Sequence, residues 1–229
     1  MTVFITGANR GIGLGFARAY AEMGLSVLAT CRNPSKAEAL GSLANRFSNL
    51  SIYSLDLASD ESIFQLFSKL KGNAEYIDIL ISNAGILENE AFGNWTRRRF
   101  ADTFNTNVVG PALLVQALDT LLIENAKIIH LSSRLGSLES GGEGMSEGDS
   151  YSMSKAALNM LTVRLHRSLG STNRLAVSIS PGWVATDMGG SDADLSVEES
   201  VSKMIVAIQS LTPADSGRFI DERGVSLPW

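Results

Sequence analysis

Thiol and imidazole are scarce in this 229-residue chain. It has one cysteine, Cys31, so no internal disulfide can form, and the lone thiol gives no sign of an oxidising compartment. That cysteine and two histidines, His130 and His166, are too few and too scattered for a metal cluster, so no metal is expected. No apolar run reaches the ~18 residues that a membrane-spanning helix needs. A basic surplus is missing too. The 19 Lys and Arg stand against 24 Asp and Glu, a formal net charge of −5, which argues against a nucleic-acid backbone or an anionic membrane as the main partner. The one basic run, Arg97-Arg98-Arg99, reads as a solvated helix face. No linker, no repeat and no basic leader ahead of the first strand-like run can be found. The expectation is one domain over residues 1–229, in the cytoplasm.

What is present is an ordinary globular composition, 45% apolar and 19% charged, arranged as short β-branched runs alternating with longer periodic ones. Strands are expected at Val3 to Thr6, Ser26 to Thr30, Ser51 to Leu55, Ile77 to Ser82, Lys127 to Leu131, Leu175 to Ser180 and Gly217 to Ile220. Helices are expected from Gly11 to Met23, from Pro34 to about Arg46, from Ser59 to Leu70, over about Thr96 to Asn105, over Val108 to Glu124, from Tyr151 to about Leu169 and from Val197 to Leu211. Strands alternating with helices of ten residues or more imply βαβ units. The predicted fold is therefore α/β, a doubly wound parallel sheet in a three-layer sandwich of the Rossmann type. Arg134 to Ser150, rich in Gly, Ser and Glu, is a long loop between the fifth strand and the Tyr151 helix, a place where long loops are commonly functional.

Chemistry concentrates at strand ends. The first strand runs into Thr6-Gly7-Ala8-Asn9-Arg10-Gly11-Ile12-Gly13. Gly7 allows a tight turn, and Gly11 and Gly13 let backbone and helix N-terminus approach a pyrophosphate, a variant of the dinucleotide fingerprint. At the end of the second strand, Thr30-Cys31-Arg32 holds no carboxylate. Arg32 and Arg10 would attract a ribose 2′-phosphate that an acid would repel, so NADP(H) is expected over NAD(H). Asp56 and Leu57 follow the third strand, near the expected adenine. Asn83, Ala84 and Gly85 follow the fourth, small enough to pass close to a cofactor. Asn107 is a polar residue entering an apolar helix. Ser132 and Ser133 end the fifth strand, where ligands of doubly wound sheets bind. Tyr151 and Lys155 are four apart, so on a helix they share a face, separated by about 6 Å of rise. An ammonium beside a phenol favours the phenolate and brings a group of pKa about 10 toward the range of general acid–base catalysis. His130, inside a strand, reads as a packing residue, and His166, beside Arg164 and Arg167, as a surface one.

These motifs, in this order over nearly the whole chain, resemble the short-chain dehydrogenase/reductase family. The similarity rests on TGANRGIG, SNAG, Asn107, LSS, YSMSK and the run Pro181-Gly182-Trp183-Val184-Ala185-Thr186-Asp187-Met188. LSSRLGS, YSMSKAALNM and the Leu227-Pro228-Trp229 end resemble sniffer-type carbonyl reductases and C-factor-like members in particular. The resemblance implies that Tyr151 passes a proton to a small-molecule carbonyl, an aldehyde or ketone, and that Ser133 hydrogen-bonds the same oxygen. It implies that Lys155 holds the nicotinamide ribose and lowers the tyrosine's pKa, and that Asn107 holds a water relaying protons to Lys155. Pro181, Gly182, Val184 and Thr186 would lie along the nicotinamide. Eighteen positions separate Ser133 from Tyr151, longer than the family's usual interval, which leaves Ser132 as the alternative to Ser133. Ser82 stands where the family more often has Asn. The short segment after Met188 implies an open pocket. The resemblance also implies a homodimer across the helices beginning near Asn107 and Tyr151; the polar Arg164, His166 and Arg167 argue for a weak dimer or a monomer. C-factor likeness implies an alternative signalling role for the cofactor-bound fold. An intact Ser–Tyr–Lys set weighs against it, since binding alone needs no phenol–ammonium pair.

Overall fold

In the computed structural model, residues 1–140, 147–169 and 172–229 are described. The strands are β1 (Thr2–Ile5), β2 (Ser26–Cys31), β3 (Leu50–Ser54), β4 (Ile77–Ser82), β5 (Leu122–Leu131), β6 (Leu175–Ile179) and β7 (Phe219–Ile220). All pair in parallel, in the order β3-β2-β1-β4-β5-β6-β7. The chain builds outward from β1 to β3 on one side, then crosses back to lay β4 on the other. The C-terminal ends of β1 and β4 thus flank a crevice at the switch point of the sheet, the place where such sheets bind ligands.

The helices are α1 (Gly11–Glu22), α2 (Glu38–Arg46), α3 (Asp60–Gly72), α4 (Arg97–Phe104), α5 (Gly110–Leu118), α6 (Asp149–Leu169) and α7 (Val197–Ser210). They cover both faces of the sheet, so strand residues of either parity are apolar. Val3 and Ile5 of β1 pack with Phe16 and Tyr20 of α1, Leu40 of α2 and Met204 of α7. Phe4, between them, packs on the other face with Leu66 of α3, Leu114 of α5 and Leu80 of β4. The α/β doubly wound expectation is met.

Some boundaries differ. The helix expected from Pro34 is broken: Pro34–Lys36 is a 3₁₀ turn, and α2 starts only at Glu38. The helix expected over Val108 to Glu124 stops at Leu118, and β5 begins at Leu122, five residues before its expected start. Ile77 of β4 pairs with Leu122, and the register then shifts before Ile79 meets Lys127. Asn125, at φ +66°, sits inside that irregular stretch. Between α4 and α5, Asn105–Val109 winds as a π-helix, a wide turn frequent at functional sites. Arg134–Gly136 forms a 3₁₀ turn within the expected long loop, and residues 141–146 of that loop lie outside the described residues.

Candidate active site

A cleft of about 950 Å³ opens over the C-terminal ends of β1, β2, β4 and β5. Its floor is the turn after β1. Gly7 and Gly11 adopt φ of +65° and +52°, a left-handed region where a side chain costs energy. A Cβ on Gly7 would come within 3.0 Å of Ala84 Cα. Asn83 braces this turn: its Nδ2 donates to Thr6 O at 2.8 Å and Gly7 O at 3.1 Å. The Asn83 and Ala84 backbone N–H groups both donate to Thr6 Oγ1. Gly13 departs from expectation. It does not line the cleft but is buried, where a Cβ would lie 2.3 Å from Gly7 O and 2.5 Å from Asn83 Nδ2. Its smallness serves the packing of α1 on the turn rather than the approach of a ligand.

Gly7, Asn9, Arg10, Gly11, Ile12, Arg32, Asp56, Leu57, Asn83, Ala84 and Gly85 all line the cleft. Arg10 does so engaged: its Nη1 meets Asp187 Oδ2 at 2.5 Å, bridging the β1 turn to the segment after β6, with both side chains largely exposed. Such a pair contributes little and can be exchanged for another anion. The sequence reading overlooked Lys36, which joins Arg32 at the end of β2 because the Pro34–Lys36 turn folds back over the cleft. A cation two residues past a helix-opening Pro was the available signal. With three cations, a glycine turn and a helix N-terminus, this end suits a polyanionic ligand.

At the other end stand the residues of α6. Tyr151 and Lys155 share a face and are 8% and 4% exposed. Lys155 Nζ lies 5.4 Å from the Tyr151 ring centroid and donates to Leu131 O at 2.6 Å. Burial lowers the Lys155 pKa to about 8. Burial also pushes the Tyr151 phenol up to about 12, offset in part by a hydrogen bond with the Ser133 side chain. In the protein alone desolvation dominates, so the phenol stands above its ordinary value despite the neighbouring lysine.

The two serines are separated by what they touch. Ser132 Oγ is buried and donates to Asn159 Oδ1 at 2.6 Å. Ser133 Oγ accepts from Leu135 N–H at 3.2 Å and faces Tyr151. Asn107, 1% exposed, sits in the π-helical turn. Its Oδ1 accepts from Ile86 N–H (2.8 Å), and its Nδ2 donates to Ile86 O (2.9 Å) and Ser154 Oγ (3.0 Å). A Cβ on Gly85 would fall 3.3 Å from Asn107 Oδ1 and 3.7 Å from Lys155 Nζ, so the three are neighbours. Ser132, Tyr151 and Lys155 line the cleft, whereas the buried Asn107 and the half-buried Ser133 do not, so it is the contact with Tyr151 and not the lining that favours Ser133.

Pro181 and Thr186 line the cleft; Gly182 and Val184 do not. Val184 is buried and bridges to Leu195, and a Cβ on Gly182 (φ +80°) would meet Leu195 Cδ1 at 2.7 Å. His130 is fully buried beside Thr162 Oγ1 (2.8 Å). Burial, with the nearby Lys155 charge, lowers its pKa to about 3, which makes it a neutral packing residue. His166 is exposed. Ser82 is buried, with a hydroxyl that finds no partner among the described residues. Among those residues, no group of His, Cys, Asp and Glu could hold a metal, and no helix is long and apolar enough to cross a membrane.

Known proteins resemble this chain in sequence and in fold. A family model described as short chain dehydrogenase matches residues 1–195. The C-signal protein of Myxococcus xanthus is 39% identical over 156 residues, covering 67% of this chain and 93% of its own length. The carbonyl reductase Sniffer of D. melanogaster superposes with a TM-score of 0.92 at 33% identity, over 100% of this chain and 99% of that one. The NADPH-bound carbonyl reductase from chicken fatty liver does so at 0.92 and 36% identity, over 100% and 98%.

Proposed function

Because this chain belongs to the short-chain dehydrogenase family and is an oxidoreductase, we propose that it reduces aldehyde or ketone carbonyls with NADPH, with Tyr151 as the proton donor. The observation that carries the reading is the Ser133–Tyr151–Lys155 grouping at the end of a cleft whose other end is cationic. The structural likeness to an NADPH-bound carbonyl reductase supports the same cofactor here.

The donor set fits that cofactor. Arg32 and Lys36, which line the cleft at the end of β2, would hold a ribose 2′-phosphate, with Arg10 available once it leaves Asp187. The β1 turn and the N-terminus of α1 offer N–H groups to a pyrophosphate. When bound, NADPH supplies the hydride. The protein orients and protonates. Tyr151, held neutral by burial, keeps a proton to give to the carbonyl oxygen. Ser133 offers a hydroxyl to the same oxygen and so fixes the carbonyl against the phenol. Lys155, anchored on Leu131 O, keeps donors free for the ribose hydroxyls and places positive charge near the phenolate left after transfer. Both Nδ2 donors of Asn107 go to Ile86 O and Ser154 Oγ, which holds the 86 segment against α6, while Oδ1 accepts one N–H and keeps a second lone pair. To that oxygen we assign the water that returns a proton to Lys155. We read the chain as a cytoplasmic protein and, through the helices that begin near Asn107 and Tyr151, a weak homodimer or a monomer.

The test is NADPH oxidation against a panel of aldehydes, ketones, quinones and keto-esters, with NADH in parallel. Turnover should be seen with NADPH and fall by about 10³-fold or more in Tyr151→Phe, with NADPH binding retained. Turnover surviving in that variant refutes the proton donor. Tighter binding of NADH than NADPH refutes the cofactor.

A further inference from the structure

Resting on the reading just given for Ser133, the structure also shows what holds that serine in place. Ser133 heads the Arg134–Gly136 turn, with Ser133 O accepting from Gly136 N–H at 2.9 Å. The turn presses on α6 from outside. A Cβ on Gly136 would lie 2.7 Å from the carbonyl carbon of Lys155, and Asn159 Nδ2 donates to Gly136 O at 3.3 Å. A sideways shift of this turn moves Ser133 against Tyr151 and Lys155.

The far side of the turn is tied to the C-terminal stretch. Trp229 O accepts from Glu139 N–H at 2.9 Å and from the Ser137 hydroxyl at 3.2 Å. Ser137 Oγ in turn accepts from Ser140 N–H. The Trp229 ring stacks on Phe219 of β7, with centroids 5.7 Å apart and planes 24° from parallel. The intervening residues fold back along β7, Leu227 N–H donating to Phe219 O and Asp221 N–H to Val225 O, both at 2.8 Å. A looser second tie joins Arg134 to Asp221 at 3.7 Å. Trp229 is 43% exposed, so it is not core filler, and neither it nor Ser137 nor Glu139 lines the cofactor cleft.

We infer that Trp229 is a positioning residue: by strapping residues 137–139 to β7 it fixes the turn that carries Ser133, and so governs carbonyl turnover without helping to hold the cofactor. Small misplacements of a catalytic hydroxyl cost large factors in rate.

The experiment compares the full chain with Trp229→Ala and Trp229→Phe. It measures hydrogen exchange at residues 135–140, NADPH affinity, and steady-state reduction of the best aldehyde of the panel. In Trp229→Ala, exchange at 135–140 should quicken and kcat/KM for the carbonyl should fall about tenfold. NADPH affinity should stay within about twofold of wild type, and Trp229→Phe should restore both properties, since stacking needs only a ring. Unchanged exchange in Trp229→Ala overturns the inference. So does faster exchange with turnover intact, or a parallel loss of NADPH affinity and turnover, which marks general destabilisation. Should wild type reduce no carbonyl at all, the reductase reading fails instead. The exchange comparison then decides the strap alone: quicker exchange supports it and unchanged exchange overturns it.

Discussion

Burial of the Lys155 ammonium works against the single strong hydrogen bond it makes, to Leu131 O, and burial prevails in the protein alone. The consequence is a dependence of stability on pH whose sign can be worked out. Unfolded, Lys155 keeps its proton up to the ordinary 10.5; folded, it releases it near 8. Between those values the unfolded chain binds more protons, so raising the pH favours the folded state. Tyr151 runs the other way. It ionises at 10.0 unfolded and about 12 folded, so between those values the folded chain binds more protons and stability is lost as pH rises. In the cofactor-free protein, the Lys155 contribution should add on the order of 2–3 kcal/mol between pH 7.5 and pH 10. Urea unfolding of wild type and Lys155→Met at the two pH values isolates it, because other groups titrate alike in both. A difference that does not change with pH would mean that Lys155 keeps its charge in the folded protein.

At the scale of elements, the turn between β1 and α1 is a tightly specified joint. Gly13→Ala would drive a Cβ into Gly7 O and the Asn83 amide that braces it. We expect a loss of about 1–3 kcal/mol in urea unfolding, the usual cost of overpacking, together with weakened NADPH binding measured by titration. Full NADPH affinity in that variant would show that the turn can move without opening the cofactor site. This joint was legible in the sequence because its glycines sit between an apolar strand and a periodic helix. The strand from Ile77 to Ser82 was legible for a similar reason: a run that is apolar nearly throughout, interrupted by Asp78 and bounded by polar residues. The role of Gly13 was misplaced, since spacing alone does not say whether a glycine yields to a ligand or to its own backbone. The start of β5 was hidden because Leu121-Leu122-Ile123 carries no Gly or Pro after α5, and an apolar run serves a helix or a strand equally well. The π-helical turn at Asn105–Val109 leaves no mark in composition. Ser132 and Ser133 are the same residue type side by side, and only the directions of their side chains, one to Asn159 and one to Tyr151, separate them.

At the scale of the whole molecule, strand β1 belongs to both cores. Val3 and Ile5 face the layer of α1, α2 and α7, while Phe4 faces α3 and α5. Neither layer can lose its helices without stripping apolar side chains from the strand that the other layer also uses. The cleft crosses the same seam, drawing residues from the turn after β1, from the ends of β2, β4 and β5, and from α6. Residues 1–229 should therefore unfold as one cooperative unit, with calorimetric and van't Hoff enthalpies in agreement. NADPH at a hundred times its Kd should stabilise that unit by about 2.7 kcal/mol, raising the midpoint by roughly 5–10 °C for a chain of this size. The shift should move the entire transition. Two calorimetric peaks, with NADPH displacing only one, would mean that the halves on either side of the switch point fold separately and that the cofactor is held by one of them.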